Sequence, residues 1–232
     1  MRVAIIPARG GSKRIPRKNI KDFCGQPMLA YPIQTALESG CFERVLVSTD
    51  DTEIADVARQ FGAEVAATRP AALADDYTGT SAVIRYELQQ LLQQGCAISH
   101  CCCLYATTPL LSATLLLQAW QQLNSTPDLN YVFSAARFSF PIQRALLQTV
   151  NGIAPFDKNS IGKRSQDLPA TFHDAGQFYW GRTDAWLGNK SVFGENSRMW
   201  VLPDHLVQDI DTPEDWHRAE LLYKLLQQEQ QQ

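Results

Sequence analysis

Short runs of β-branched apolar residues alternate with helix-like patterns through the first 135 residues, and this alternation limits the fold more than any other feature of the chain. Each run fits one buried strand, and the intervening patterns repeat their apolar residues at helical spacing. Alternating strands and helices form βαβ units, which predicts an α/β fold with a doubly wound, mostly parallel sheet. Strands are predicted at residues 2–6, 44–48, 64–68, 99–104 and 131–135, with helices at 28–39, 52–61, 81–94 and 113–123.

The length of 232 residues suits one α/β domain with a large core rather than two independent domains. From residue 137 to 188 the pattern loosens, and aromatic and proline residues are scattered among polar ones. We therefore predict a single domain over 1–232, in which 137–188 is an insertion used for dimerisation or for covering a substrate. Thr212 as cap, Pro213 at the first position and Asp215 three residues beyond the cap predict a last helix.

Composition and charge exclude several classes of protein. A hydrophobic share of 45% and a charged share of 19% are typical of a folded globular chain. The formal net charge of -3 argues against nucleic-acid binding. No apolar run approaches the roughly 20 residues of a membrane span, and the N-terminus does not resemble a signal peptide. We expect a cytoplasmic protein with neither nucleic-acid nor membrane partners.

The cysteines do not form a metal-binding pattern. Three of the six, Cys101, Cys102 and Cys103, are consecutive in a predicted strand, and no CxxC pair is present. Consecutive strand residues point to alternate faces, so these thiols do not gather around one metal. They are expected to be small apolar residues of a buried strand.

A loop rich in glycine and cations directly follows the first strand, and residues 6–19 read IPARGGSKRIPRKN. Two glycines let backbone N–H groups approach an anion, at the strand end where parallel sheets bind ligands. Six cations lie within the thirteen residues 9–21, which suits a small, highly anionic ligand. The loop is neither GxxxxGK[ST] nor GxGxxG, and the missing GxGxxG counts against a nicotinamide dehydrogenase.

Two carboxylates, Asp209 and Asp211, stand two residues apart just before the predicted last helix. In an extended segment, side chains at i and i+2 point to one face, so both carboxylates can address a single hard cation such as Mg²⁺. The alternative is that they serve as helix caps. Their spacing alone leaves both interpretations open.

The segment PARGGSKRIPRKN resembles the nucleotide-binding signature of the acylneuraminate cytidylyltransferase family. The likeness continues at residues 48–51 (STDD), 69–71 (RPA), 164–169 (RSQDLP) and 208–213 (QDIDTP), so it covers nearly the whole chain. It implies a fold like that of the nucleotide-diphospho-sugar transferases and transfer of CMP from CTP to an acidic sugar. It also implies Mg²⁺ as cofactor and a homodimer.

The same resemblance implies roles for individual residues. CTP is expected to contact Ala8, Arg9, Gly10, Gly11, Ser12, Lys13, Lys18, Asn19, Arg69 and Thr80. Catalysis is assigned to Arg9, Lys13 and Asp211, and Mg²⁺ to Asp209 and Asp211. The sugar is expected to contact Tyr105, Gln143, Arg144, Arg164, Gln166, His173 and Tyr179, with Arg164 clamping its carboxylate. No side chain is marked as the general base.

Departures from the N-acetylneuraminate pattern indicate the sugar. Those enzymes usually have a QPTSP-like turn where this chain has YATTP at 105–109, and RPNG where it has HDAG at 173–176. Segments 140–145, 173–180 and 211–216 resemble instead the pseudaminic acid cytidylyltransferases of the family. The expected reaction is CMP transfer to the anomeric hydroxyl of pseudaminic acid, for attachment of the sugar to flagellin or a surface polysaccharide.

The alternative substrates are N-acetylneuraminate, legionaminate and ketodeoxyoctonate, whose enzymes would share the loop and the aspartate pair. A catalytically silent nucleotide-binding subunit is a further alternative. The presence of Arg9, Lys13, Asp209 and Asp211 argues against it.

Overall fold

The computed structural model describes residues 1–65, 68–75 and 78–230. Within them the strands are β1 (Arg2–Pro7), β2 (Asp22–Phe23), β3 (Gln26–Pro27), β4 (Arg44–Ser48), β5 (His100–Leu104), β6 (Tyr131–Arg137), β7 (Leu146–Thr149), β8 (Gly152–Pro155), β9 (Phe172–Arg182) and β10 (Ser197–Val201). The α-helices are α1 (Ala30–Glu38), α2 (Thr52–Gln60), α3 (Thr80–Gln93), α4 (Ala113–Ser125), α5 (Thr183–Leu187) and α6 (Pro213–Gln230). Short 3₁₀ helices lie at Lys18–Ile20, Ala71–Leu73, Ile142–Arg144, Ser165–Asp167 and Asp204–Leu206.

Six strands form one sheet in the order β10-β6-β9-β5-β1-β4. Strand β1 pairs in parallel with β4 and β5, and β10 pairs in parallel with β6. Strand β9 runs antiparallel to both of its neighbours, β5 and β6. The predicted α/β fold with a mostly parallel sheet is therefore confirmed.

Helices cover both faces of this sheet because successive strand residues point to opposite sides. On one face Cys102 packs in a core with Leu116 of α4. On the other face Cys101 and Cys103 pack in a core with Leu88 of α3. All six cysteines are free, and the consecutive three are buried, as the strand pattern predicts.

Most predicted elements are present with ends shifted by a few residues. The predicted strand at 64–68 is the exception. Its residues 66 and 67 lie outside the described residues, and Glu64 makes an isolated parallel bridge to Leu46.

The predicted insertion at 137–188 divides into two parts. Residues 138–171 contain the β7–β8 hairpin, whose described pairing is within the hairpin itself. The second part contains β9, which crosses the main sheet between β5 and β6. The predicted insertion is therefore too long, because β9 is a central strand of the domain. The first half of β9, FHDAGQ, is polar, so the sequence does not show the apolar pattern that is typical of a central strand.

The start of α6 is the capping box that the sequence predicts. The Asp215 amide donates to Thr212 Oγ1 at 3.2 Å, and the Thr212 amide donates to Asp215 Oδ2 at 2.9 Å. Trp216 and Ala219 then pack against Phe23. No helix in the described part of the chain combines the length and apolar character needed to cross a membrane.

Candidate active site

The glycine-rich loop after β1 opens at the carboxyl edge of the sheet, as expected for a ligand site of a parallel sheet. It borders a cleft of about 490 Å³. Four cations of the loop face this cleft, namely Arg9, Lys13, Arg14 and Lys18. The other lining residues are Pro7, Ser12, Ile15, Asn19, Thr80, Tyr105, Ala106, Thr107 and Asp211. Such a concentration of positive charge suits a polyphosphate.

Two aspartates hold the backbone of the loop. The Gly10 amide donates to Asp50 Oδ1 at 3.0 Å. Asp51 caps α2 by accepting from the Ile54 amide at 3.0 Å, and it forms an ion pair with Arg17. The hydrogen bond from Arg17 lowers the pKa of Asp51. A Cβ atom at Gly10 would lie 2.7 Å from Asp51 Oδ2, so glycine is required for this close approach.

Asn19 joins the two ends of the loop. Its Nδ2 donates to the Arg9 carbonyl at 2.9 Å, and its own carbonyl accepts from the Leu29 amide at 2.8 Å. The side chain is buried while still bordering the cleft. Asn19 therefore shapes the loop, in addition to the ligand contact that the resemblance implies.

Asp211 connects the loop to the segment before α6. Its carboxylate pairs with Arg14 at 2.8 Å and with Lys18 at 3.4 Å. Lys18 also donates to the Ile210 carbonyl at 2.6 Å. Arg14 was not among the predicted site residues. Its position among the six cations of the loop could have indicated that it faces the ligand.

The aspartate pair has the donor set of a hard-cation site. Partial burial, and after it the negative charge of Asp211, raise the pKa of Asp209. Among the described residues, no group of three or more His, Cys, Asp or Glu is placed to hold a metal ion. A cation at this pair would thus complete its shell with phosphate and water oxygens, which is the usual state of Mg²⁺.

A smaller cavity of about 240 Å³ adjoins the cleft and shares Arg9 and Thr80 with it. Arg69 lines this cavity and is buried, which lowers its pKa, and its Nη2 donates to the Ser48 carbonyl at 2.9 Å. Ser48 Oγ donates to Glu87 at 2.6 Å, and burial raises the pKa of Glu87. A buried polar network therefore supports this cavity.

Glu87 was missed in the sequence, although a signal was present. It occupies a core-facing position of α3, one turn after Val83 and one turn before Leu91, where an apolar residue would be expected. A carboxylate on an apolar helix face needs a buried partner, which here is Ser48.

A third cavity, of about 340 Å³, opens beside Tyr105 and shares Thr80 and Tyr105 with the cleft. Tyr105 and Tyr179 lie with their ring centroids 5.4 Å apart. Tyr179 Oη donates to Asp174 Oδ2 at 2.5 Å. Burial raises the pKa of both tyrosines, so both phenols stay protonated at neutral pH. Two of the seven predicted sugar-binding residues are thus brought together.

The other five lie elsewhere, and none borders the cleft or the Tyr105 cavity among the lining residues that the structure describes. They are Gln143, Arg144, Arg164, Gln166 and His173. Arg164 forms an exposed ion pair with Asp167 at 2.8 Å. Gln166 lines a separate cavity of about 390 Å³, and the His173 ring packs 4.9 Å from Phe138.

The sheet and its cation-lined cleft define a nucleotide-binding α/β protein, and a family model described as Cytidylyltransferase matches residues 3–232. The chain belongs to this cytidylyltransferase family. It is 46% identical over 224 residues to the pseudaminic acid cytidylyltransferase of Campylobacter jejuni, covering 96% of each chain. It is also 31% identical to the CMP-N,N'-diacetyllegionaminic acid synthase of Legionella pneumophila, covering 97% of each chain.

A solved structure supports the fold. A CMP:2-keto-3-deoxy-manno-octonic acid synthetase complexed with CTP superimposes with a TM-score of 0.72 at 18% identity, covering 97% of this chain and 98% of that one.

Proposed function

We propose that this chain transfers CMP from CTP to the anomeric hydroxyl of pseudaminic acid, releasing pyrophosphate. The observation that carries the proposal is the convergence of four cations and Asp211 on one cleft that continues, past Thr80 and Tyr105, into a cavity large enough for part of a sugar. The 46% identity to a pseudaminic acid cytidylyltransferase supports the choice of sugar.

The triphosphate is bound by the loop after β1. Arg9 and Lys13 neutralise its charge. Gly11 leaves the backbone open, since among the described residues no atom beyond its chain neighbours lies within 4 Å of the position of its missing Cβ. Asp50 and Asn19 hold the loop in shape. The nucleoside occupies the adjoining cavity that contains Arg69.

Asp209 and Asp211 would hold Mg²⁺ together with phosphate oxygens and water. When bound, the cation supplies charge neutralisation at the phosphates and at the pyrophosphate leaving group. Arg14 and Lys18, which contact Asp211, stand beside the same phosphates and add to this neutralisation.

In the reaction, the anomeric oxygen attacks the α-phosphorus of CTP. A new oxygen–phosphorus bond forms while the bond from the α-phosphorus to the bridging oxygen breaks, and that electron pair leaves with pyrophosphate. The anomeric hydroxyl releases its proton to solvent. The residues of the chain act mainly by positioning the two substrates and by neutralising charge. CTP as co-substrate is consistent with a cytoplasmic enzyme.

The direct test is a panel of nonulosonic acids supplied with CTP and Mg²⁺, with products identified by mass spectrometry. We expect kcat/KM for pseudaminic acid to exceed that for N-acetylneuraminate on the order of a hundredfold, because two sugar hydroxyls forced against apolar wall would lose their partners. Asp211→Asn serves as the inactive control. Equal values, or a preference for N-acetylneuraminate, would refute the choice of sugar.

We further propose a homodimer formed through residues 138–171. Large apolar side chains are exposed there, namely Phe140, Leu146, Leu147, Val150, Ile153 and Phe156. A patch of this kind is typical of a protein interface. Arg144 and Arg164, which do not border their own cleft, would then be available to the partner's sugar.

Analytical ultracentrifugation tests the dimer. Wild type should sediment as a dimer at assay concentration, and Ile153→Asp, which places a charge in the patch, should sediment as a monomer with impaired use of the sugar. Leu225→Asp, at an exposed position on α6, is the matched control and should remain a dimer. A monomeric, fully active wild type would contradict the proposal.

A further inference from the structure

We propose that Asp174 determines sugar specificity by accepting a hydrogen bond from a neutral donor group, an amide N–H or a hydroxyl, of the substrate. The inference rests on the proposed function, because the cavity that contains Asp174 continues from the cleft in which CTP would react. Asp174 has no role in the transfer chemistry described above. Its effect would be on which acidic sugar is accepted.

The antiparallel direction of β9 brings Asp174 to the site. The parallel strands end at the ligand-binding edge, so the first residues of β9, rather than its last, lie at that edge. The register between β6 and β9 shifts between Phe133 and Ala135, and Ala135 then pairs with Asp174. This irregularity aims the Asp174 side chain into the cavity beside Tyr179.

Two hydrogen bonds fix the carboxylate. Tyr179 Oη donates to Oδ2 at 2.5 Å, and the Gly176 amide donates to Oδ1 at 2.9 Å. The φ of +61° at Gly176 lets the chain turn to make the second bond. A carboxylate has about four lone-pair sites, so each oxygen keeps capacity for a further donor. The Tyr179 hydroxyl has one proton, and it donates this proton in the hydrogen bond to Asp174. Tyr179 therefore positions the carboxylate and does not donate to the sugar.

The charge distribution sets the orientation of the substrate. Of the described residues that line this cavity, Asp174 alone carries a charge, and its neighbours include Trp186, Val192 and Phe193. The cations lie at the far end, in the cleft. The sugar carboxylate is therefore repelled from the cavity and directed toward the cleft, while a neutral donor is drawn to Asp174.

The arrangement also gives a basis for discrimination between sugars. A sugar that presents a neutral donor to the cavity gains a charge-assisted hydrogen bond to Asp174, and a sugar without such a donor leaves the carboxylate without this partner.

The test compares Asp174→Asn with Tyr179→Phe in the full-length enzyme, using pseudaminic acid, CTP and Mg²⁺. Asparagine keeps the shape but loses the charged acceptor, so KM for the sugar should rise about tenfold or more, while KM for CTP stays unchanged. Tyr179→Phe keeps the carboxylate and its hydrogen bond from the Gly176 amide, so its KM for the sugar should rise less than that of Asp174→Asn. Asp56→Asn, at an exposed carboxylate paired with Arg59 on α2, is the matched control.

Three outcomes would overturn the inference: an unchanged KM for the sugar in Asp174→Asn, equal effects of Asp174→Asn and Tyr179→Phe, or a raised KM for CTP. Equal effects would mean that Asp174 acts solely by holding Tyr179. Asp174→Ala, with melting temperature as a check on folding, is the second variant. If wild type uses another nonulosonic acid instead, the proposed substrate fails, and the same comparison on that sugar still decides the role of Asp174.

Discussion

Replacing Gly10 by alanine tests whether the close contact between the loop and α2 holds the nucleotide site together. The new Cβ would lie 2.7 Å from Asp51 Oδ2 and 3.1 Å from Asp51 Cβ, which is too close for either atom to stay in place. Asp51 cannot move freely, because it caps α2 and pairs with Arg17. We expect the substitution to break the cap and to pull the Gly10 amide from Asp50.

The expected cost follows from these two contacts. A lost helix cap costs about 1 kcal/mol, and a lost hydrogen bond to a carboxylate adds about the same or more. The free energy of unfolding should therefore fall by about 2 kcal/mol. For a chain of this size that corresponds to a fall in melting temperature of about 4 to 8 °C.

Gly11→Ala is the matched control, because in the described part of the chain no atom other than those of its sequence neighbours lies within 4 Å of the position of its Cβ. Urea unfolding followed by tryptophan fluorescence, with calorimetry for the melting temperature, gives the comparison. Gly10→Ala should be clearly less stable than wild type, with a raised KM for CTP, whereas Gly11→Ala should match wild type in stability. Equal stability of the two variants would refute the reasoning.

Three further predictions concern charged groups. Asp209→Asn and Asp211→Asn should each lower the rate on the order of 10²-fold or more at limiting Mg²⁺ while leaving the melting temperature near that of wild type. Near-normal rates in both variants would remove the metal assignment. Arg9→Ala and Lys13→Ala should weaken CTP binding, measured by calorimetry, far more than they change stability, because both residues lie in a loop rather than in the core. Unchanged binding in both would mean that the loop does not hold the triphosphate. Burial raises the pKa of Glu87, so the folded protein keeps this proton to higher pH than the unfolded chain does, and the contribution of Glu87 to stability falls as pH rises from about 4 through the raised value. The glutamine of Glu87→Gln has no proton to lose. The free energy of unfolding of this variant minus that of the wild type should therefore increase as pH rises across that range. A difference that stays constant with pH would contradict the prediction.

The candidate site was predictable where its residues are close together in sequence. The loop at 6–19 carries its own signature of glycines and cations, and the structure places four of its cations around one cleft. Asp211 borders the same cleft, and the binding of a metal ion by Asp209 and Asp211 stays a prediction. Glu87 and Arg14 were not predicted, because the role of a single polar residue depends on the residue that it contacts. Glu87 contacts Ser48 and Arg14 contacts Asp211, and both contacts join residues that are far apart in the chain.

The local elements could be predicted from sequence patterns: the alternating strands and helices of the first 135 residues, the loop after β1 and the capping box of α6. Each depends on residues within one or two turns of each other, so periodicity and capping chemistry are enough to predict it. The position of β9 in the middle of the sheet and its antiparallel direction could not be predicted in this way. They depend on the folded chain, and they place Asp174 and Tyr179 at the cavity beside Tyr105. An apolar strand has the same side-chain period in either direction and in any position of a sheet. Its place is set by contacts with strands distant in sequence, which no local pattern records.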